Sequence, residues 1–572
     1  MLERHLTRYG DPGFARFLRR AFARNLGMHG GDWERPVVGV LNTYSEVNRC
    51  HAHFPRLVEA IKRGVLMAGG VPLEFPTISL GEPFLDPTAM LFRNLASMDA
   101  EEMIAAQPLD AVVLVGGCDK TLPALVMGAA SADVPALVVA AGPMLAGEHR
   151  GRRLGACTDC RRTWAEYRAQ RIDDVELEAI NASLASTDGT CMVMGTASTM
   201  ALTIEALGLM LPGGAAIPAV DQRRLAHAEE SGKAAVALAR GGPRPSRVLT
   251  PRAYRNALRV LAAVGGSTNA IVHLTAMAGR SGIRIGLDDF ARVSRETPLL
   301  VDCKPIGRFH LEDLFHAGGL PQLMRRLAPL LELDAPTVSG KTHAENLAET
   351  AEPQFDDPAY AKVLRTLEAP LRADGGIAVL RGSLAPDGAV MKTHAATTEL
   401  LTHRGPAFVF EDQEAMERAV ADEGLEVTPD HVLVLKRVGP IGGPGMPEAG
   451  MLPLPARLLR AGVRDMVRIS DGRMSGTAYG TVVLHVAPEC ALGGPLALVE
   501  SGDTIVLDAA AGRLDLEVER RELERRRARA EPAPAPPRGY RRLYHEHVLQ
   551  APEGVDFAFL RPPLTRDLWE QG

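Results

Sequence analysis

The sequence predicts an α/β protein in two parts: an N-terminal domain in which a mostly parallel sheet is covered by helices, and a C-terminal β-rich, barrel-like domain. Three observations carry this expectation. Strand and helix patterns alternate through the first two thirds of the chain. The strands there are continuous apolar runs, as a sheet buried on both faces requires. After about residue 370 the texture changes to short strands with glycine and proline between them, the pattern of a separate β-rich unit.

Taken in order, Pro36–Leu41 reads as a buried strand, followed by a polar loop to Cys50 and an apolar-periodic helix from about His53 to Met67. The pattern then repeats. Ala111–Val115 is a strand, Gly116 and Gly117 a turn into a helix carrying Ala124, Met127 and Ala130, and Ala136–Val139 the next strand. In open sheets of this kind ligands gather at the carboxyl ends of strands, where Cys50 and Cys118 fall. Cys191 precedes Met194–Leu211, read as one buried helix whose N-terminal dipole and free N–H groups favour a thiolate. The second domain's strands are Gly376–Leu380, Ala407–Phe410, His431–Leu435, Met466–Ile469, Thr481–Leu484 and Thr504–Leu507. The expected domains are residues 1–370 and 371–572, with the junction inside Glu352–Gly375. Arg520–Arg529 reads as a solvated helix and Glu531–Pro537 as a stiff extended linker.

Composition narrows the function. With 572 residues, 46% hydrophobic and 23% charged, the chain can bury more than one core. Its net charge of −6 argues against a nucleic-acid or anionic-membrane partner. The start, Met1-Leu2-Glu3-Arg4-His5, has no apolar signal core, and no run of about 18 apolar residues occurs, so a cytoplasmic location is expected. Seven cysteines fit metal ligation or buried thiols better than a disulfide framework.

Three of those cysteines, Cys50, Cys118 and Cys191, lie far apart in the chain at glycine-rich or polar junctions. Three soft ligands suit an iron-sulfur cluster with one iron left open to substrate, which is Lewis-acid chemistry. Taken singly, each has an ordinary explanation as a small buried hydrophobe, and that explanation is kept for Cys303 and Cys490. Cys157 and Cys160 form a Cys-x-x-Cys without a second pair or paired histidines, and read as structural or incidental rather than as half a zinc site. Gly116-Gly117-Cys118-Asp119-Lys120-Thr121 puts a thiol, a carboxylate and an amine side by side at a strand end, a set a core would not choose. Asp119 is a hard oxygen donor suited to Mg²⁺, and Glu82 and Glu448 are further possible donors, although a lone Glu in a Gly/Pro loop is ordinarily just solvated. Ser470–Thr477 has Gly-x-x-Ser-Gly spacing rather than the Gly-x-Ser-x-Gly of a hydrolase elbow. Arg473 beside Ser475 is placed to hold an anion or favour an alkoxide.

Residues Pro36–Ala270 and Leu371–Leu560 closely resemble the dihydroxy-acid and sugar-acid dehydratases. The motifs that match are Val47–Cys50, Gly116–Thr121, Gly189–Ala197, Gly265–Ala270, Gly439–Glu448 and Ser470–Gly476. The resemblance implies that Cys50, Cys118 and Cys191 hold the cluster, with [2Fe-2S] favoured over [4Fe-4S]. It implies a nearby Mg²⁺ bound by Glu82, Asp119, Glu448 and a carbamylated Lys120. Ser475, Thr477 and Lys120 would be the catalytic residues, Ser475 as the base and Thr477 close to substrate. The first cysteine commonly follows proline in this family, whereas Arg49 stands there in this chain.

Phe75–Pro83, Met90–Leu95, Tyr544–Gln550 and Asp556–Leu560 look more like the sugar-acid subgroup. The implied activity is dehydration of an aldonate, a small-molecule sugar acid, to a 2-keto-3-deoxy acid. The alternative is the dihydroxy-acid dehydratase of branched-chain amino-acid synthesis. A third reading, an iron-sulfur sensor without catalysis, would be excluded by turnover of any 2,3-dihydroxy acid. Family analogy also implies a homodimer or homotetramer.

Overall fold

The computed structural model describes residues 5–351, 360–420, 422, 424–529 and 534–569. Its first sheet is built by β1 (Val37–Asn42), α1 (Phe54–Met67), β2 (Val71–Pro76), α2 (Arg93–Ala106), β3 (Ala111–Gly116), α3 (Thr121–Ala132) and β4 (Ala136–Ala140). The strand order is β2-β1-β3-β4, parallel throughout. Every residue of β1, β3 and β4 is buried, which is why these strands carry no polar alternation. β2 is the edge strand that the sequence reading passes over. Its Val-Pro-Leu-Glu-Phe-Pro carries two prolines, which a ladder tolerates only at an edge.

Helices α4 (Thr158–Arg168), α5 (Asp174–Leu184), α6 (Thr196–Ala206), α7 (Gln222–Ala239), α8 (Pro251–Ala263) and α9 (Asn269–Arg280) follow. α6 is buried along its whole length but shorter than expected at both ends. Gly195 takes its N-cap position and Gly208, at φ +85°, ends it, so Cys191 sits in a loop five residues ahead of the helix and not at its N-terminus.

The second sheet has eight strands: β5 (Ile377–Leu380), β6 (Gly388–Lys392), β7 (Thr402–Phe410), β8 (Val432–Leu435), β9 (Arg468–Ser470), β10 (Val482–Ala487), β11 (Thr504–Asp508) and β12 (Arg513–Glu517). Their order is β12-β11-β7-β8-β9-β10-β6-β5. The β7-β8-β9-β10 centre is parallel and both flanks are antiparallel. Just past β5, the Arg381 N–H donates to the Gly512 carbonyl at 2.8 Å and the Leu514 N–H donates to the Arg381 carbonyl at 2.9 Å. Those two bonds bring the outer strands together into a barrel-like ring. Val432 and Val434 point into it, beside Ile469, Val483, Ile505 and Leu514, while Leu433 and Leu435 pack outside with Phe410 and Met416. Burial on both faces therefore accounts for the unbroken apolar run of β8.

Ile377, Val390, Met474, Val482 and Leu484 from the ring join the same hydrophobic core as the first sheet and its helices. Each fully buried Val or Leu contributes about 1.5–3 kcal/mol, so this shared core couples the two sheets strongly. Arg520–Arg527 is the expected exposed helix. Residues 352–359 of the expected junction and 531–533 of the expected linker lie outside the described residues. No described helix is long and apolar enough to cross a membrane.

Candidate active site

The carboxyl end of the parallel sheet collects the three cysteines. Cys50 lies in a single 3-10 turn, Arg49–His51, after β1, and Cys118 lies in the turn between β3 and α3. The Cys191 loop is attached to the segment after β4, since the Thr190 N–H donates to the Gly142 carbonyl at 2.9 Å and the Met144 N–H to the Thr190 carbonyl at 2.8 Å. Arg49 extends this attachment through an ion pair with Asp188 at 2.9 Å, joining the Cys50 turn to the Cys191 loop. That is the use this chain makes of the residue standing where proline is expected.

His51 holds the first two turns together. Its Nδ1 lies 2.7 Å from the Thr43 carbonyl, and its Nε2 accepts the Cys118 N–H at 2.9 Å, which assigns the Nδ1–H tautomer. Burial pushes the imidazole pKa down to about 3, so it stays neutral and keeps that acceptor. Gly117 makes the approach possible, because a Cβ there would run into Ala141 and the His51 ring. His51 carries no motif of its own in the sequence; the signal available was a histidine adjacent to a candidate ligand. The neighbouring Cys50 thiol and burial raise the Cys118 thiol well above its ordinary value.

A second thiol pair stands at Cys191. Cys157 Sγ lies 3.5 Å from Cys191 Sγ, and Cys157 in turn raises the neighbouring Cys160 thiol above its ordinary value. The Cys-x-x-Cys read as structural or incidental is thus placed against a candidate ligand. Cys303 and Cys490 are buried within hydrophobic clusters, as small apolar side chains are.

Next to Cys118 the acidic residues converge. Lys120 is fully buried, and its Nζ lies 2.9 Å from Glu82, 2.6 Å from Asp119 and 3.1 Å from Glu448. Cys118 Sγ is 3.6 Å from the other Asp119 oxygen, so thiol and acid groups share one wall. Glu448 also accepts from Asn269 Nδ2 at 2.8 Å and Arg473 Nη1 at 3.0 Å. Burial alone would raise its pKa, but Lys120 and Arg473 outweigh burial and hold it at about 2. Burial likewise opposes the charge on Lys120, and Asp119, Glu448 and Glu82 overcome it, so the ammonium keeps its proton. Arg473 is itself fully buried and hydrogen-bonds the Met446 carbonyl at 2.7 Å and Thr88 Oγ1 at 3.3 Å; Thr88 then donates to Glu82 at 2.6 Å. Among the described residues Arg473 is hydrogen-bonded within the acid cluster, not to Ser475. Of the two roles expected of it, holding an anion is the one seen, since it pairs with the Glu448 carboxylate and reaches Glu82 through Thr88.

Ser475 and Thr477 come from the turn after β9. Ser475 Oγ and Thr477 Oγ1 are 2.9 Å apart, and the Thr477 carbonyl accepts from Thr158 Oγ1 at 2.9 Å. Between them Gly476 presses onto the N-terminal half so closely that a Cβ would lie 2.6 Å from Ser267 and 2.8 Å from the Thr196 nitrogen. Thr196 Oγ1 and Ser267 Oγ are 2.8 Å apart, and Asn269 Nδ2 donates to Thr196 Oγ1 at 3.1 Å while also holding Glu448. Asn269 therefore links the serine turn to the acid cluster, a role its motif had not disclosed.

Among the described residues, no three His, Cys, Asp or Glu side chains form a ready-made cage for a bare ion. The carboxylates are spaced around an ammonium, and the thiols stand as Cys50 with Cys118 and as Cys157 with Cys160 and Cys191. Three hard oxygen donors on one cation, beside soft sulfur donors, are residue types that suit a hard divalent ion and a thiophilic metal group.

Comparison with known proteins identifies the family. Residues 35–346 match the dihydroxy-acid/6-phosphogluconate dehydratase N-terminal family model, and residues 362–555 match the C-terminal one. The chain is 51% identical over 555 residues to an L-arabonate dehydratase of Azospirillum brasilense, covering 95% of this chain and 94% of the relative. It is 46% identical over 550 residues to a 6-deoxy-6-sulfo-D-gluconate dehydratase of Pseudomonas putida, covering 95% and 94%. A dihydroxy-acid dehydratase of Moorella thermoacetica is 39% identical over 519 residues, covering 89% and 92%.

Proposed function

The chain belongs to the dihydroxy-acid/6-phosphogluconate dehydratase family, and on that premise we propose that it is a hydro-lyase converting an aldonate to the 2-keto-3-deoxy acid. The observation that carries the chemistry is the convergence of Glu82, Asp119 and Glu448 on Lys120, one residue from Cys118. The sugar-acid substrate is supported by the greater identity to sugar-acid dehydratases than to a dihydroxy-acid dehydratase.

In this reading Cys50, Cys118 and Cys191 would hold a [2Fe-2S] cluster, and Glu82, Asp119, Glu448 and a carbamylated Lys120 would hold Mg²⁺. As an ammonium, Lys120 neutralises the carboxylates; as a carbamate it would add one more hard oxygen donor to them. When bound, the two groups would supply the positive charge that acidifies the C2 proton and the Ser475 hydroxyl and helps the C3 hydroxyl leave. Ser475 would take the C2 proton, with Thr477 fixing its Oγ and Thr158 fixing Thr477. Asn269 and Arg473 would keep Glu448 ionised and oriented. The enol left after loss of water tautomerises to the 2-keto acid. We assign residues 1–370 and 371–572 as the two units that meet here, and a homodimer or homotetramer as the assembly. The exposed Phe14, Phe17 and Phe22 on the helix Pro12–Asn25 support contact between copies.

The test is 2-keto acid formation by the anaerobically purified, cluster-replete protein from a panel of C5 and C6 aldonates and from dihydroxyisovalerate. kcat/KM for the best aldonate should exceed that for dihydroxyisovalerate by about 10²-fold or more. The reverse preference would move the chain to branched-chain synthesis.

A further inference from the structure

We propose that Cys157 is a fourth, displaceable thiol ligand that covers the open position of the cluster until substrate arrives. The inference rests on the cluster assignment to Cys50, Cys118 and Cys191 made above. Cys118 has Cys50 beside it, and Cys191 has Cys157 at 3.5 Å, with Cys160 next to Cys157. A two-iron cluster with tetrahedral irons takes two protein ligands on each, so Cys157, the thiol in contact with Cys191, supplies the fourth ligand where three thiols leave one position free. The spacing fits as well. A disulfide would bring the sulfurs to about 2.05 Å. Two thiolates at about 2.3 Å from one tetrahedral metal stand about 3.8 Å apart, and Cys157 and Cys191 are 3.5 Å apart.

The backbone holds Cys157 in place from both sides. The Ala156 N–H lies 2.9 Å from Met192 Sδ, next to Cys191, and Thr158 Oγ1 donates to the Thr477 carbonyl at 2.9 Å. The Gly155 N–H donates to Asp159 at 2.7 Å, and Lys304 pairs with the same carboxylate at 2.8 Å. Cys157 is thereby fixed between the Cys191 loop and the Ser475–Thr477 turn. It does so at φ +71°, a left-handed conformation that glycine adopts without strain. Its side chain also lines a cavity with Cys160, Arg161 and Asn181, which gives this sulfur access to solvent. On taking the position the thiol gives up its proton to solvent, and on displacement it takes one back.

The test uses the anaerobically purified holoprotein and Cys157→Gly, a change the backbone at this position accommodates. Iron and sulfide content should be equal in the two. Mössbauer and resonance Raman spectra should show all-sulfur ligation at both irons in the unmodified protein, and one iron with a non-sulfur ligand in Cys157→Gly. Adding the preferred aldonate should move the unmodified protein toward the variant's spectrum, and bleaching of the variant by air should be several-fold faster. Identical spectra and identical bleaching rates would overturn the proposal. Cys191→Ser separates this failure from that of the cluster assignment. If Cys191→Ser loses the cluster while Cys157→Gly is indistinguishable from the unmodified protein, only the fourth ligand is wrong. A protein that carries no cluster, or keeps it in Cys191→Ser, overturns both.

Discussion

The acid pocket and the thiol wall, which share the edge between Cys118 and Asp119, are held together in opposite ways. Around Glu448 every charge has a counter-charge supplied by the protein, because Lys120 and Arg473 face Glu82, Asp119 and Glu448 inside the fold. Around Cys118 the neighbouring Cys50 thiol, burial and Asp119 disfavour a thiolate and outweigh a backbone hydrogen bond from Glu82, so the sulfur keeps its proton. The acid pocket is therefore assembled electrostatically by the protein's own charges, whereas the thiol wall is assembled by backbone contacts and a neutral histidine.

The largest effect that could break this comparison is Lys120→Met in metal-free protein. Removing one partner of a buried ion cluster costs about 3–5 kcal/mol, and chemical denaturation should read a loss of that order. Cys118→Ala in the same metal-free protein should cost about 1 kcal/mol, the ordinary loss for a small buried side chain. Equal losses would mean that the two halves are not built differently.

Ser475→Ala comes next and separates chemistry from assembly. It removes one oxygen from a turn held by Gly476 and Thr158, so Tm and iron content should stay unchanged while kcat falls at least about 10²-fold. Turnover close to that of the unmodified protein would remove Ser475 from the role of base.

The smallest effect is in pH dependence, where the two halves should yield in sequence. His51 takes up a proton at its ordinary value of 6.5 when unfolded but only at about 3 when folded. The stability tied to its neutral ring is complete above 6.5 and drains away as pH falls toward 3. Glu448 is ionised down to about 2 in the fold against an ordinary 4.5, so its contribution lasts to 4.5 and is lost only below it. Amide protection at Cys118 should decline before protection at Glu448 on acidification, and His51→Asn should abolish the early step. Simultaneous decline near 4.5 would contradict it.

Much of the fold was legible because the buried parallel strands β1, β3, β4 and β8 advertise themselves as apolar runs. β6 and β12 were not: β6 starts at a glycine and ends at a lysine, and β12 alternates Leu514 and Leu516 with charged neighbours, a pattern too short to separate from a loop. In the site, Cys118-Asp119-Lys120 was legible because three reactive side chains sit together in sequence. The work of His51, Asn269 and Cys157 was not, since each acts through a partner distant in the chain. Asn269 meets Glu448 across 179 residues and His51 meets Cys118 across 67, distances no local pattern reports.

The two main-chain bonds that join Arg381 to Gly512 and Leu514 have a consequence for how copies of this protein can meet. An open eight-stranded sheet would end in two rows of unsatisfied amides, each a template for another chain to extend. Here the terminal strands answer one another at Arg381, which blunts both rows. Any association through this half of the molecule must then be written in side chains rather than in shared backbone ladders, and it is guarded against runaway strand-on-strand growth.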